Sequence, residues 1–174
     1  MFVLILALGA CNQKDTKQTD SSKTDSTAVA EHSVGTIPEI QSEVTRIDAT
    51  QKDSTVANFN CDAPGTVKYF KDKTGKIIKI GIDWGFTGDF SSTSDLYYNN
   101  DKIIYMHQTM IGAAAGMPED TTVEQMFVSK DKVIRFMSNG KDTICDKCGY
   151  TDSSWEYKVL KAFPGKDVQS AICL

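Results

Sequence analysis

From Thr66 onward the chain is punctuated by short turn clusters between stretches that alternate apolar and polar residues, and this rhythm constrains the fold more than any other feature. Val67 to Lys71 and Lys76 to Trp84 flank Asp72-Lys73-Thr74-Gly75, with Gly75 placed where a short hairpin turn needs positive φ. Ile78, Ile80, Ile82 and Trp84 recur at every second position, so they are expected on one face of a strand. The device repeats around Asn99-Asn100-Asp101, between Asp95 to Asn99 and Lys102 to Thr109. It repeats again around Lys130-Asp131-Lys132, between Val123 to Ser129 and Val133 to Met137. Hairpin after hairpin predicts an antiparallel β-meander of about six strands, and a sheet with a packed face needs a helix or second layer over it.

Two stretches can supply that cover. Thr36 and Glu39 have the spacing of a capping box, Pro38 suits a first helical turn, and Ile37, Ile40, Val44 and Ile47 form one stripe of an N-terminal helix reaching about Thr50. Its other face, with Gln41, Glu43, Arg46 and Asp48, is expected to be solvated. Ser153 and Glu156 repeat the capping pattern before Trp155, Val159, Leu160, Ala162 and Phe163, a short C-terminal helix that ends by Pro164-Gly165. The expected class is α+β, with residues 36–174 as a single globular domain.

The 174 residues suit one domain. A net charge of −4 argues against a nucleic-acid partner. Before the domain the character changes. Phe2 to Leu8 is an unbroken apolar run, too short to span a bilayer, and it leads into Leu8-Gly9-Ala10-Cys11. That tetrapeptide resembles the lipobox of bacterial lipoproteins. The resemblance implies a signal peptide over residues 1–10 and covalent lipid on Cys11, which becomes the first residue of the mature chain. Signal peptides open with positive charge, yet no Lys or Arg lies between Met1 and Cys11, so translation is expected to start upstream of Met1. Asn12 after the cysteine is similar to the pattern of lipoproteins forwarded to the outer membrane, and Gln13-Lys14-Asp15 is similar to an export signal of Bacteroidetes lipoproteins. Asn12 to Thr27 carries no sizeable apolar side chain and is expected to be disordered, within a tether spanning residues 11–35. A flexible chain of that length reaches about 25–30 Å. The strand pairs with Tyr97-Tyr98 before Asn99-Asn100-Asp101-Lys102-Ile103, and Val128-Ser129-Lys130-Asp131-Lys132-Val133-Ile134, resemble those of small uncharacterised Bacteroidetes lipoproteins. That likeness assigns no site residue.

Candidate chemistry rests on few side chains. Cys61, Cys145, Cys148 and Cys173 are an even set in an exported chain, which favours two disulfides. Cys145 and Cys148 are close enough to pair with each other, leaving Cys61 to clamp Cys173, and the other pairings stay open. Two alternatives use the same residues: thiol-disulfide exchange at the Cys145-Asp146-Lys147-Cys148 motif, or a zinc ion held by all four cysteines. Trp84-Gly85-Phe86-Thr87-Gly88-Asp89-Phe90 reads as a glycine-broken loop. Trp84, Phe86 and Phe90 either present a ligand-stacking surface or fold back onto the open end of the sheet. His107 stands in a strand without a partner histidine in the folded region, and Gly112 to Gly116 reads as a mobile connection between hairpins. Asp83, Asp89, Asp95 and Asp101 read as turn and cap residues.

The expected function is therefore that of a membrane-anchored envelope lipoprotein on the periplasmic or surface face, most simply at the outer membrane. It acts as a non-enzymatic binding or interaction module for a protein or small molecule, with no cofactor beyond the lipid on Cys11 and no catalytic constellation.

Overall fold

Helix α1, Ile37–Ala49, starts as the sequence predicts: the amides of Gly35 and Thr36 both donate to the Glu39 carboxylate, at 3.0 and 2.9 Å. The computed structural model describes residues 34–50, 52–113, 118–145, 148–163 and 167–173. The expected signal peptide, Cys11 and almost all of the expected tether lie outside the described residues, as do most of the Gly112 to Gly116 connection and Pro164-Gly165.

Eight strands follow α1: β1 Asp53–Asn60, β2 Pro64–Lys71, β3 Ile77–Thr87, β4 Phe90–Asn99, β5 Lys102–Gly112, β6 Asp120–Ser129, β7 Lys132–Ser138 and β8 Lys141–Thr143. They form one antiparallel sheet in sequence order, followed by α2, Trp155–Lys161, and α3, Val168–Ile172. The class is α+β as expected, with two strands and a third helix more than the sequence announced. β1 escaped notice because Asp53-Ser54-Thr55-Val56-Ala57-Asn58-Phe59-Asn60 is mostly polar and buries only Phe59 fully. β8 is three exposed residues.

The hairpin turns close where residues adopt positive φ. Asn100 and Asp101 sit at 51° and 58°, Lys130 and Asp131 at 51° and 63°, and Asn139 and Gly140 at 49° and 76°. Paired positive φ angles mark type I′ turns, whose twist matches that of the flanking strands.

Each face of the sheet carries its own core. The α1 side buries Ile40 and Ile47 against Ile78, Tyr97, Ile104, Tyr105 and Phe127. The other side packs Val159, Tyr157, Val168 and Ile172 of α2 and α3 against Val67, Tyr69, Ile80, Ile82, Leu96 and Tyr98. The division corrects one expectation: Ile78 does not share a face with Ile80, Ile82 and Trp84. Phe70 pairs with Lys79 and Lys71 with Ile77, so Ile78 is the extra residue of a bulge. The same slip recurs at Ile104 and Ile134, each in a Lys-(Ile/Val)-Ile tripeptide just after a turn: Lys76-Ile77-Ile78, Lys102-Ile103-Ile104 and Lys132-Val133-Ile134. A bulge turns two successive residues toward one face. Ile104 and Tyr105 thereby both serve the α1-side core, as Ile78 and Lys79 both face α1, while Ile77 and Ile103 serve the other core.

The polar face of α1 is not simply solvated, which corrects a second expectation. Asp48 accepts hydrogen bonds from Tyr97 Oη, at 3.0 and 3.2 Å, and from Lys79 Nζ at 3.2 Å, while Glu43 accepts from Asn99 Nδ2 at 3.2 Å. Lys79 also pairs with Asp95 at 3.1 Å, so Asp95 lies within β4 and ties it to β3 rather than serving a turn. Burial lowers the Lys79 ammonium pKa, but the bond to Tyr97 and the Asp95 carboxylate outweigh it and hold the group charged. On the far face, the residue before α2 is Ser154 rather than Ser153, its hydroxyl accepts from the Thr151 amide instead of capping the helix, and Glu156 is buried against the sheet, so the expected capping box does not form. Tyr98 and Tyr69 donate to the α2 carbonyls of Glu156 and Val159, at 2.9 and 3.1 Å. Those bonds tie the helix to the sheet, and Val159 O accepts the Ala162 amide as well, at 3.2 Å.

Candidate ligand cleft at the Cys61–Cys173 end of the sheet

Where β1 turns into β2, the chain reverses through Cys61, Asp62 and Ala63, and α3 returns to meet it. Cys61 is bonded to Cys173, with Cα atoms 5.5 Å apart, and Gln169 Oε1 accepts from the Asn60 amide at 3.3 Å. Helix α3 is capped by Asp167, whose carboxylate takes the Ser170 amide at 3.2 Å as well as the Ser170 hydroxyl. The hydroxyl bond, reinforced by the amide, keeps that carboxyl below the usual carboxylate range.

Between these segments and the end of β3 lies a cleft of about 550 Å3. Phe59, Trp84 and Ile172 form its apolar wall, and Asn60, Asp62, Thr87 and Gln169 supply polar groups, with the Cys61–Cys173 bond along one side. Two glycines make this geometry feasible. The Phe59 ring lies across Gly65, where a Cβ would fall 2.3 Å from Phe59 Cζ. Gly85 adopts φ +73° with Pro64 O pressed against it, 2.1 Å from where a Cβ would stand.

Trp84 is fixed before any ligand arrives. Its ring meets Phe59 and Trp155 edge to face, with centroids 5.9 and 5.3 Å apart, and its indole N–H donates to Ser94 Oγ at 2.9 Å. Such pre-ordering lowers the entropic cost of binding against the ring.

The three aromatics named from the sequence are not brought together. Residues 84–90 are not a loop but the far end of the β3–β4 hairpin, in which Thr87 pairs with Phe90. The register shifts between Asp83 and Phe86, so the Trp84-Gly85 bulge sends Phe86 to the face opposite Trp84. Phe86 is 76% exposed. Phe90 is on the Trp84 face, but its ring covers Gly112 and remains 59% exposed. Neither phenylalanine lines the cleft, whereas Trp84 and Thr87 do.

The second cysteine pair, Cys145 with Cys148, belongs to the opposite edge of the sheet: Cys148 O accepts from the Val133 amide at 3.2 Å beside β7. Among the described residues no three His, Cys, Asp or Glu side chains gather as a metal site. His107 lies between Asp95 on β4 and Gln125 on β6, half-exposed on the open part of the α1 face. Sequence reasoning did not reach Asn60, Asp62 or Gln169. The one available signal was the cysteine pair that brings residues so distant in the chain together.

The chain matches no protein-family model, no curated protein and no solved structure with which it was compared.

Proposed function

We propose that this protein is a lipid-anchored envelope module whose cleft beside Trp84 binds a small ligand without transforming it. The cleft carries the reading. Its volume is that of a small-molecule site, and it joins an ordered aromatic wall to a few separated polar groups. Asn60, Gln169 and Thr87 offer neutral hydrogen-bonding groups, and Asp62 offers one carboxylate. That set suits an uncharged polar molecule with an apolar face, bound by stacking and hydrogen bonds.

Attachment rests on the resemblance of Leu8-Gly9-Ala10-Cys11 to a lipobox and on the polar stretch that follows it. Acyl chains on Cys11 provide stable anchoring once two or more are present. Among the described residues no helix is long and apolar enough to cross a membrane.

Two measurements test the parts separately. Labelled palmitate is expected to enter the native chain and not a Cys11→Ala variant; equal labelling of both removes the anchor. Titration of mono- and disaccharides and small amides, followed by tryptophan fluorescence, is expected to give saturable binding that Thr87→Arg abolishes without lowering the melting temperature. Absence of saturation at millimolar ligand, or turnover of any ligand that binds, removes the binding-module reading.

A further inference from the structure

Strand β1 forms one edge of the sheet, and among the described residues its outward backbone is engaged only at one end. Pairing with β2 is unbroken from Asp53 opposite Lys71 to Asn60 opposite Pro64. Pro64 has no amide hydrogen, and the Asn60 N–H instead reaches Gln169 on α3. The Asn60 N–H therefore points away from β2. Alternate residues of an antiparallel strand turn both backbone groups the same way, so Asn58, Val56 and Ser54 also present theirs outward.

Natural edge strands are usually guarded by Lys, Pro, a bulge or brevity. β1 has none of these: it is eight residues long, regular in register, and charged only at Asp53. The neighbouring Lys52 is drawn off the edge, with Nζ 3.2 Å from Asp48 O and 5.8 Å from the Phe70 ring centroid. The opposite edge is guarded, since β8 is only three residues long, includes Lys141 and Asp142, and Gly149 bridges to Lys132 on β7. In the middle of the open edge Val56 is 58% exposed.

We propose that β1 pairs antiparallel with β1 of a second copy across a two-fold axis at Val56, continuing the sheet from one copy into the next. A two-fold normal to the sheet keeps each face on its own side, so opposed residues must point the same way. Centring on Val56 satisfies that condition: Val56 meets its own counterpart, Ser54 meets Asn58, and Thr55 meets Ala57. The outward groups of Ser54, Val56 and Asn58 then form about six main-chain hydrogen bonds. Asp53 falls opposite Phe59 and faces no like charge, so the register is electrostatically self-compatible. This neutrality, with the apolar residue at the dyad, selects a second copy over a charged partner strand. An edge roughly 27 Å long and one sheet thick buries less than the roughly 800 Å2 per partner of a standard interface, so the dimer is reversible and concentration-dependent.

The test uses the full chain in detergent, in a Cys11→Ala background so that no anchor thiol reacts. Val56→Cys is expected to give a covalent dimer with a short bismaleimide, while Lys68→Cys, one strand further in, is expected to stay monomeric. Val56→Lys sets like charges across the dyad and is expected to weaken self-association by about tenfold or more in sedimentation, with the urea midpoint unchanged. A chain that stays monomeric at millimolar concentration overturns the proposal, as does a dimer that Val56→Lys leaves at full strength. A monomeric chain whose Val56→Cys thiol is shielded from a monofunctional maleimide until residues 1–33 are removed also overturns it, by assigning the edge to another occupant.

Discussion

Trp84 on β3 donates its indole N–H to the hydroxyl of Ser94 on β4, 2.9 Å away, and Ser94 is 2% exposed within the sheet. The pair anchors the ring that forms the cleft wall. Ser94→Ala leaves the indole N–H without its acceptor and is expected to cost about 1–2 kcal/mol in urea unfolding, and to loosen the fluorescence anisotropy of Trp84. A loss no larger than that of Ser92→Ala, on the same strand, would show that the bond does not order the ring.

The bond between Cys61 and Cys173 spans a sequence separation of 112, whereas that between Cys145 and Cys148 spans 3. Constraint of the unfolded chain grows with the loop closed. Replacing the long-range pair by serines is therefore expected to cost roughly 3–5 kcal/mol, and replacing the short-range pair under about 2 kcal/mol. Denaturant midpoints of the two double variants check this order. The first variant should also lose ligand binding at the cleft.

Lys79 gathers Asp48, Asp95 and Tyr97 where the end of α1 meets the sheet. Lys79→Ala removes the cation from between two carboxylates and is expected to destabilise the fold by about 2–3 kcal/mol at pH 7. Urea titrations of native and variant chains at pH 7 measure the difference.

Glu156 is 8% exposed, and burial raises its carboxyl pKa above the ordinary value, partly offset by a bond from its own backbone amide. A raised folded-state pKa means that the native chain binds the proton more tightly than the unfolded one. Stability from this group is complete below the unfolded pKa and falls as the pH rises through the folded one. Glu156→Gln is expected to stabilise the protein by about 1 kcal/mol at pH 7 and to change little at pH 3. Equal effects at both pH values would place the gain elsewhere.

Lys130 holds φ 51° in the β6–β7 turn, a region that costs a residue with a Cβ but not glycine. Its neighbour Asp131 is committed to Lys102 Nζ, at 2.7 Å, and to the Tyr157 hydroxyl. Lys130→Gly is therefore expected to raise stability by about 0.5–1 kcal/mol, read as a higher thermal midpoint, whereas Asp131→Gly is expected to lower it.

The periodicity of residues 66–137 and their turn clusters made the antiparallel meander legible, because hairpin pairing is local and its turns demand particular residue types. The stripe through Ile37, Ile40, Val44 and Ile47 marked α1 for the same reason, its contacts repeating every three or four positions. β1 was hidden because an exposed edge strand needs little apolar alternation. The Lys-Ile-Ile bulges were hidden because an inserted residue breaks the period of two by which strands are recognised. Of the candidate site, Trp84 and the two cysteines of its wall were visible as residues, while their association was not.

The amino-acid order alone, through short-range sterics and hydrophobic rhythm, determined the α+β class, the hairpin order and the residue types available for chemistry. Tertiary structure decided which face each side chain serves and which distant residues meet. Phe86 was turned away from Trp84 by a one-residue slip, and Gln169 was brought to Asn60 across more than a hundred positions. Face and contact depend on register and on the packing of α1, α2 and α3 against the sheet, and these are summed over the whole fold rather than written in any local stretch.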